Sequence, residues 1–151
     1  MLKISVSGIN DIRKEIVSVK KRLTDFRKFF QEVARPELLQ AFADTFETGQ
    51  RTWAKLAVST IKEKRRLGYP LKKLVRTGKL RKSYTQDTGD NSFVISKTSM
   101  RYTNLVDYAG FHEFGTRRIP KRQVIGRVIR KKEYQRKIVK ALLAYTKQKG
   151  I

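Results

Sequence analysis

The stretch Gln86-Asp87-Thr88-Gly89-Asp90-Asn91-Ser92-Phe93-Val94-Ile95-Ser96 decides between an all-helical chain and a mixed one. Its first seven residues are polar turn formers, and the next run combines aromatic and β-branched side chains, which predicts a strand. Ser83–Thr85 is read as the strand on the other side of the turn, so the stretch closes a β-hairpin.

Helical patterns lie on both sides of it. At the N-terminus, Leu2, Ile4 and Val6 alternate with Lys3, Ser5 and Ser7, which predicts a strand with one buried face. Gly8 breaks it, and Asn10 or Asp11 can cap the helix that comes next. Ile12, Ile16, Val19, Leu23, Phe26, Phe30 and Val33 recur in steps of four and three, an apolar stripe on a helix of about six turns. Such a stripe packs on a sheet or forms a coiled-coil seam. Pro36 interrupts it and suits the first turn of a new helix, with Leu38, Leu39, Phe42 and Phe46 on its apolar face and Gly49 to close it. Residues 50–58 read as a loop that tucks Trp53, Leu56 and Val58 onto the core. A short helix starts at Ser59 or Thr60 and ends near Gly68. Tyr69-Pro70 is a turn, and Thr77-Gly78 is another before a helical stretch from Lys79.

Beyond the hairpin, Leu105, Tyr108, Ala109, His112 and Phe114 have helical spacing over 104–114, and Gly115 ends that segment. Residues 119–126 read as extended, with Pro120 blocking a helix. Residues 127–147 read as one helix carrying Tyr134, Ile138, Leu142 and Tyr145. The order predicts a single domain over 1–151 of α+β class, a small antiparallel sheet packed against a long N-terminal helix and a C-terminal helix. No internal repeat or dividing linker is visible.

Composition narrows the chemistry. The 151 residues hold 36 Lys and Arg against 13 Asp and Glu, a formal net charge of +23. The 39% hydrophobic content suffices for one core. Without Cys there is no disulfide scaffold, thiolate zinc site or thiol catalysis, and with one His there is no multi-histidine metal site. No run approaches the length of apolar sequence that spans a membrane, and the N-terminus lacks the apolar core of a secretory signal. The chain is therefore expected in a cytoplasm or in a particle assembled there. The charge is uneven. Residues 51–82 hold twelve basic and one acidic residue, and residues 117–151 thirteen and one, around a near-neutral, aromatic-rich centre. Two such blocks call for a polyanionic partner: nucleic acid, an acidic protein surface or an anionic membrane.

Catalytic patterns are lacking. There is no nucleophile elbow and no phosphate-cradling glycine loop. His112-Glu113 is the one His–acid neighbour pair, and adjacent helical side chains point about 100° apart, which suits packing better than shared proton transfer. A basic nuclease using His112 as general base would want acidic metal ligands, yet the basic blocks hold only Glu63 and Glu133. Zinc-finger and RRM signatures are missing, and Pro120 sits where a helix-turn-helix recognition helix would begin or run. Nonspecific phosphate contact needs only basic side chains.

Two blocks carry a family resemblance. The first is Gly49, Trp53, Leu56, Thr60, Lys64, Gly68, Leu74, Thr77-Gly78, Leu80 and Ser83. The second is Tyr108-Ala109-Gly110-Phe111-His112-Glu113-Phe114-Gly115, then Arg118-Ile119-Pro120-Lys121-Arg122-Gln123-Val124-Ile125-Gly126. Together they span roughly residues 49–126 and resemble the tailed-phage virion morphogenesis family, the tail-completion proteins of Mu-like and P2-like phages. The chain departs in having Lys55 where the family often has Pro, and Val124-Ile125 where it often has an aromatic-leucine pair. The resemblance implies a non-enzymatic virion protein acting late in assembly at the head–tail junction or the head-proximal tail end, as one subunit of a ring. It implies no catalytic site and no cofactor. Its partners would be connector, tail-tube or tail-terminator subunits, with nonspecific contact to genome DNA in the channel and none to membrane. The motif residues Trp53, Gly78, Tyr108, Ala109, His112, Glu113, Gly115, Pro120 and Arg122 would be structural. Trp53, Leu56, Leu80, Tyr108 and Phe114 are expected in the core, with Tyr108, His112 and Phe114 packing their helix on the hairpin. Arg65, Arg66, Lys72, Lys73, Arg117, Arg118, Lys121, Arg122, Arg130, Lys131 and Lys132 are the candidate contacts to DNA or to an acidic protein. The alternative is a nonspecific nucleic-acid-binding basic protein.

Overall fold

A computed structural model describes residues 25–149, together with Val17. The strand expected at 2–7 and most of the helix expected from Ile12 lie outside the described residues; in the part described, Asp25 and Phe26 are not helical, and the buried positions are Phe29 and Ala34 where the expected stripe has Phe30 and Val33. The elements are α1 (Arg27–Phe29), a π-helical segment (Phe30–Ala34), α2 (Arg35–Thr52), α3 (Val58–Arg66), α4 (Lys79–Thr85), β1 (Asn91–Ile95), β2 (Met100–Asn104), α5 (Ala109–Phe114), α6 (Ile125–Arg130) and α7 (Lys132–Gln148). The class is α+β: a two-stranded antiparallel sheet set against the long helical run from Arg27 to Thr52 and a C-terminal helix.

Pro36 does not interrupt the helix as the sequence suggests. It occupies the first turn of α2, and the π segment before it closes on the Arg35 N–H, which donates to the Phe30 carbonyl five residues back. The missing proline N–H and the ring's bulk fall where the helix has widened, so the run continues through to Thr52. Gly49 likewise does not end α2. Trp53 does, by turning extended at ψ 153° while its N–H still bonds the Gly49 carbonyl at 2.8 Å. The indole then lies back over Gly49, where an added Cβ would fall 2.6 Å from three ring carbons.

Phe42 and Phe46, each 1% exposed, form the centre of the core with Tyr84 at 2%. Phe42 meets Tyr84 edge-on with centroids 5.4 Å apart, and Phe46 meets Trp53 edge-on at 5.7 Å, the geometry aromatic quadrupoles favour. The hairpin joins through Tyr102, whose ring lies 5.1 Å from Phe42. Register pairs Phe93 with Tyr102 and Ile95 with Met100, so one face of the sheet packs inward while Val94 points out, 60% exposed.

Ser83–Thr85 is the end of helix α4 and not a strand; the partner of β1 is the unforeseen β2 at 100–104. Ser83 is fully buried and acts as a hub. Its carbonyl accepts from Asn91 Nδ2 at 2.7 Å and Tyr102 Oη at 2.9 Å, and its hydroxyl oxygen accepts from Asn104 Nδ2 at 2.8 Å. Those bonds need the Ser83 backbone carbonyl free at a helix end, which a ladder strand would have consumed. The helix expected over 104–114 is confined to α5, because 100–104 pairs in the sheet. The extended reading of 119–126 fails from Ile125, where α6 starts. The expected 127–147 helix is broken at Lys131 (ψ 108°) into α6 and α7. Tyr134 of α7 packs against the core, and Tyr145 meets Phe29 at 5.4 Å.

Gly49→Ala places a methyl inside the Trp53 ring contact and should destabilise the fold by about 1–3 kcal/mol in urea unfolding, whereas Gly89→Ala, where a Cβ meets nothing within 4 Å, should not. Burial raises the phenol of Tyr84 and pushes those of Tyr102 and Tyr134 up to about 12, from an ordinary 10.0. The unfolded chain then ionises first, so this stability is full below pH 10 and lost as pH climbs towards 12. Denaturant titrations across that window should show the decline, and Tyr134→Phe should make it shallower while Tyr84 and Tyr102 keep the remainder.

Candidate functional site

Helix α5 is six residues long and turns Ala109 and Glu113, one turn apart, into the interior at 5% and 8% exposure. A buried carboxylate needs donors, and Glu113 has three. Its Oε2 accepts from the N–H groups of Val124 at 2.8 Å and Ile125 at 3.2 Å, and its Oε1 from Gly126 at 2.7 Å. These are the opening N–H groups of α6, which no intrahelical carbonyl reaches, and negative charge is favourable there. Gly126 allows this approach: a Cβ on it would sit 3.1 Å from Glu113 Oε1 and 2.8 Å from Gln123 Nε2. Gly115 reverses the chain at φ 78°, with a virtual Cβ 3.2 Å from the Lys121 nitrogen. The 115–122 loop is pinned by Thr116 N–H to the Ile119 carbonyl and Arg122 N–H to the His112 carbonyl, both 2.8 Å.

Arg122, expected on an exposed loop as a contact residue, is buried. It is 6% exposed, and its guanidinium donates to the carbonyls of Ala54 (3.2 and 3.1 Å) and Lys55 (3.1 Å). Trp53 Nε1 donates to the Gln123 carbonyl at 3.2 Å beside it. The two sequence blocks are thereby joined through 53–55 and 122–123. Lys73, another expected contact, is half-buried, with Nζ donating to the Gln50 carbonyl at 2.6 Å and the Trp53 carbonyl at 2.8 Å. These lie at the C-terminal end of α2, where a cation is favoured.

Lys64 is a further internal cation. It is 7% exposed, and its Nζ donates to the carbonyls of Pro70 (3.0 Å), Lys72 (2.7 Å) and Val75 (2.5 Å), which uses all three ammonium protons. It thereby fixes the 67–77 loop, which includes Leu74 at φ 57°, a conformation costly for a branched side chain. Neither Lys64 nor Arg122 touches a carboxylate among the described residues. Burial, then the charges of Arg76 and Arg122, lower the Lys64 pKa, and burial lowers that of Arg122.

Lys64 and Arg122 line a cleft of about 780 Å³ among α3, the 67–77 loop and the 115–122 loop. Its apolar lining includes Leu56, Leu74, Val75, Leu80 and Ile119; Lys55, Arg76, Lys79 and Arg118 add charge, and no Asp or Glu among the described residues lines it. Arg76 is paired with Glu63 at 2.9 Å and Lys79 with Asp90 at 3.3 Å, whereas the exposed side chains of Lys55 and Arg118 have no partner among the described residues. Gly78 opens α4 beside the cleft at φ 89°, and Pro120 lies on its other side, exposed. Tyr108 and His112 also face it, ring centroids 6.4 Å apart at 90°. The Nδ1 of His112 is enclosed without a hydrogen-bond partner, and burial, then Arg122, lowers its pKa towards the neutral ring.

Four residues expected on the core are not there, Val58 among them at 69% exposure. Phe114 is 77% exposed, Tyr108 is 41% exposed, and Leu56 is half-buried. With Ala109 and Glu113 facing inward, so short a helix turns Phe114 away, and neither it nor Tyr108 fastens α5 to the hairpin. Arg65, Arg66, Lys72, Arg117, Arg118, Lys121 and Lys132 are exposed. Exposed Arg130 and Lys131 are engaged locally, with Gln123 and with Glu133 at 3.0 Å. Lys121, Arg127, Arg130 and Lys131 surround a second depression beside Trp53. Among the described residues there is no cluster of three His, Cys, Asp or Glu able to hold a metal, and no helix long and apolar enough to cross a membrane. The chain matches no protein-family model, no curated protein and no solved structure.

Glu113→Gln keeps one acceptor oxygen but turns an amide NH₂ towards a backbone donor. It should cost about 1–2 kcal/mol, and Glu113→Ala, which strands all three N–H groups, about 3 kcal/mol or more, both read from denaturant midpoints.

Proposed function

We propose that this chain is a non-enzymatic virion assembly protein that completes the tail or the head–tail junction of a tailed bacteriophage, working there as one subunit of a ring. The reading begins from the resemblance of residues 49–126 to the tail-completion family. The observation that carries it is that both blocks converge on one framework. Trp53 and Arg122 bond across from one block to the other, and Glu113 ties its own block to α6. Residues that look like a catalytic His–acid pair are thereby accounted for as structure. The Glu113 carboxylate accepts from three backbone N–H groups, which supports reading it as the anchor of α6.

The exposed cations then serve docking. Arg117, Arg118 and Lys121 share one loop, and Arg65, Arg66 and Lys72 lie on α3 and the loop after it. Complementary charge speeds encounter and sets register with acidic connector or tail-tube subunits, and in a ring the same charge would line a DNA channel. Self-repulsion at +23 keeps the isolated chain monomeric until a partner surface gathers it.

Gold-labelled antibody against the chain should mark phage particles at the head–tail junction or the head-proximal tail end; abundant protein in a lysate of unlabelled particles would overturn the reading. The nonspecific nucleic-acid alternative is separated by salt. Phosphate-driven binding falls log-linearly with salt without sequence preference, whereas a docking protein should hold little DNA at physiological ionic strength.

A further inference from the structure

We infer that the cleft among α3, the 67–77 loop and the 115–122 loop is a docking site for an extended acidic segment of a partner protein, one that sets carboxylates beside an apolar side chain. Lys64 and Arg122 are held in its wall by carbonyls alone. Carbonyl dipoles solvate a cation without neutralising it, so the wall keeps two positive charges with no counter-charge among the described residues. Lys55 and Arg118 add two exposed cations without partners among those residues. A carboxylate arriving between these groups meets attraction, and no acidic side chain among the described residues of the lining opposes it.

The apolar lining selects the rest of the ligand. Leu56, Leu74, Val75 and Ile119 offer hydrocarbon surface, and a cleft of about 780 Å³ is of the size that encloses a few side chains. A nucleic-acid duplex presents phosphates on a broad convex cylinder and would meet the outer cations without entering. A second copy of the chain would bring its own +23. The partner's place in a virion rests on the function proposed above; the chemistry of the cleft is tested without particles, so particle labelling and peptide binding can fail separately.

The test is calorimetric titration of the purified full chain, at about 150 mM salt, with a capped octapeptide alternating aspartate and leucine. The paired change Lys55→Glu and Arg118→Glu alters exposed side chains without partners among the described residues and should weaken binding at least about tenfold. Arg136→Glu with Lys140→Glu makes the same charge change on the exposed surface of α7 and should leave affinity within about twofold. A serine-for-leucine peptide should bind at least about tenfold more weakly than the parent. Absence of peptide binding would overturn the inference, as would equal weakening by the two variant pairs or equal affinity for the serine peptide. A thymidine oligonucleotide that competes the peptide off, or self-association abolished by the cleft variant, would assign the cleft to nucleic acid or to a second copy instead.

Discussion

Trp53 folds its indole back over Gly49 at the end of α2 and donates from Nε1 to the Gln123 carbonyl. That one side chain closes the long helix, covers Phe46 and fixes the height at which the 115–123 segment crosses. Arg122 can reach the Ala54 and Lys55 carbonyls only because the chain after Trp53 leaves the helix in an extended conformation with those carbonyls unspent. Glu113 then locks the far end of the same crossing by holding the start of α6. The cleft is the space left between this crossing and the loop gathered by Lys64.

The charge of the chain plays two parts. Some cations solvate the outside, and a smaller set holds the inside together. Lys64, Lys73 and Arg122 each bind backbone carbonyls that loops and helix ends cannot satisfy for themselves. An ammonium can gather three carbonyls from one irregular loop, and a guanidinium can bridge two successive ones with planar geometry. The desolvation that Lys64 and Arg122 suffer lowers their pKa values, and binding an anion nearby would relieve it.

Periodicity makes the helical stretches around Phe42, Phe46 and Tyr134 legible, and the aromatic and β-branched run does the same for the strand from Phe93 to Ile95. The mixed class comes from those alone. The hairpin partner is misread because Ser83 and Thr85 lie beside a turn cluster and Thr85 has strand propensity, while the role of Ser83 depends on Asn91, Tyr102 and Asn104 converging from elsewhere. Hydrophobicity assigns Phe114 to the core, yet Glu113 beside it takes the buried place through its three N–H partners. Counting charges cannot separate Arg118 from Arg122, four residues apart, one exposed and one buried. That distinction is set by which carbonyls the tertiary fold brings near. Trp53 and the glycines at 78 and 115 are easier to read, since a large aromatic and turn-forming glycines carry their constraint locally.

The π segment at Phe30–Ala34 holds one residue more per turn than the helix around it. Inward positions run Phe29, Ala34, Leu38, Phe42 and Phe46, and the single step of five among steps of four falls across that segment. Without the bulge, an extra residue would rotate everything upstream by about 100° and expose Phe29. The widened turn thus works as a spacer that absorbs a change in chain length while both ends of the helix keep their facing.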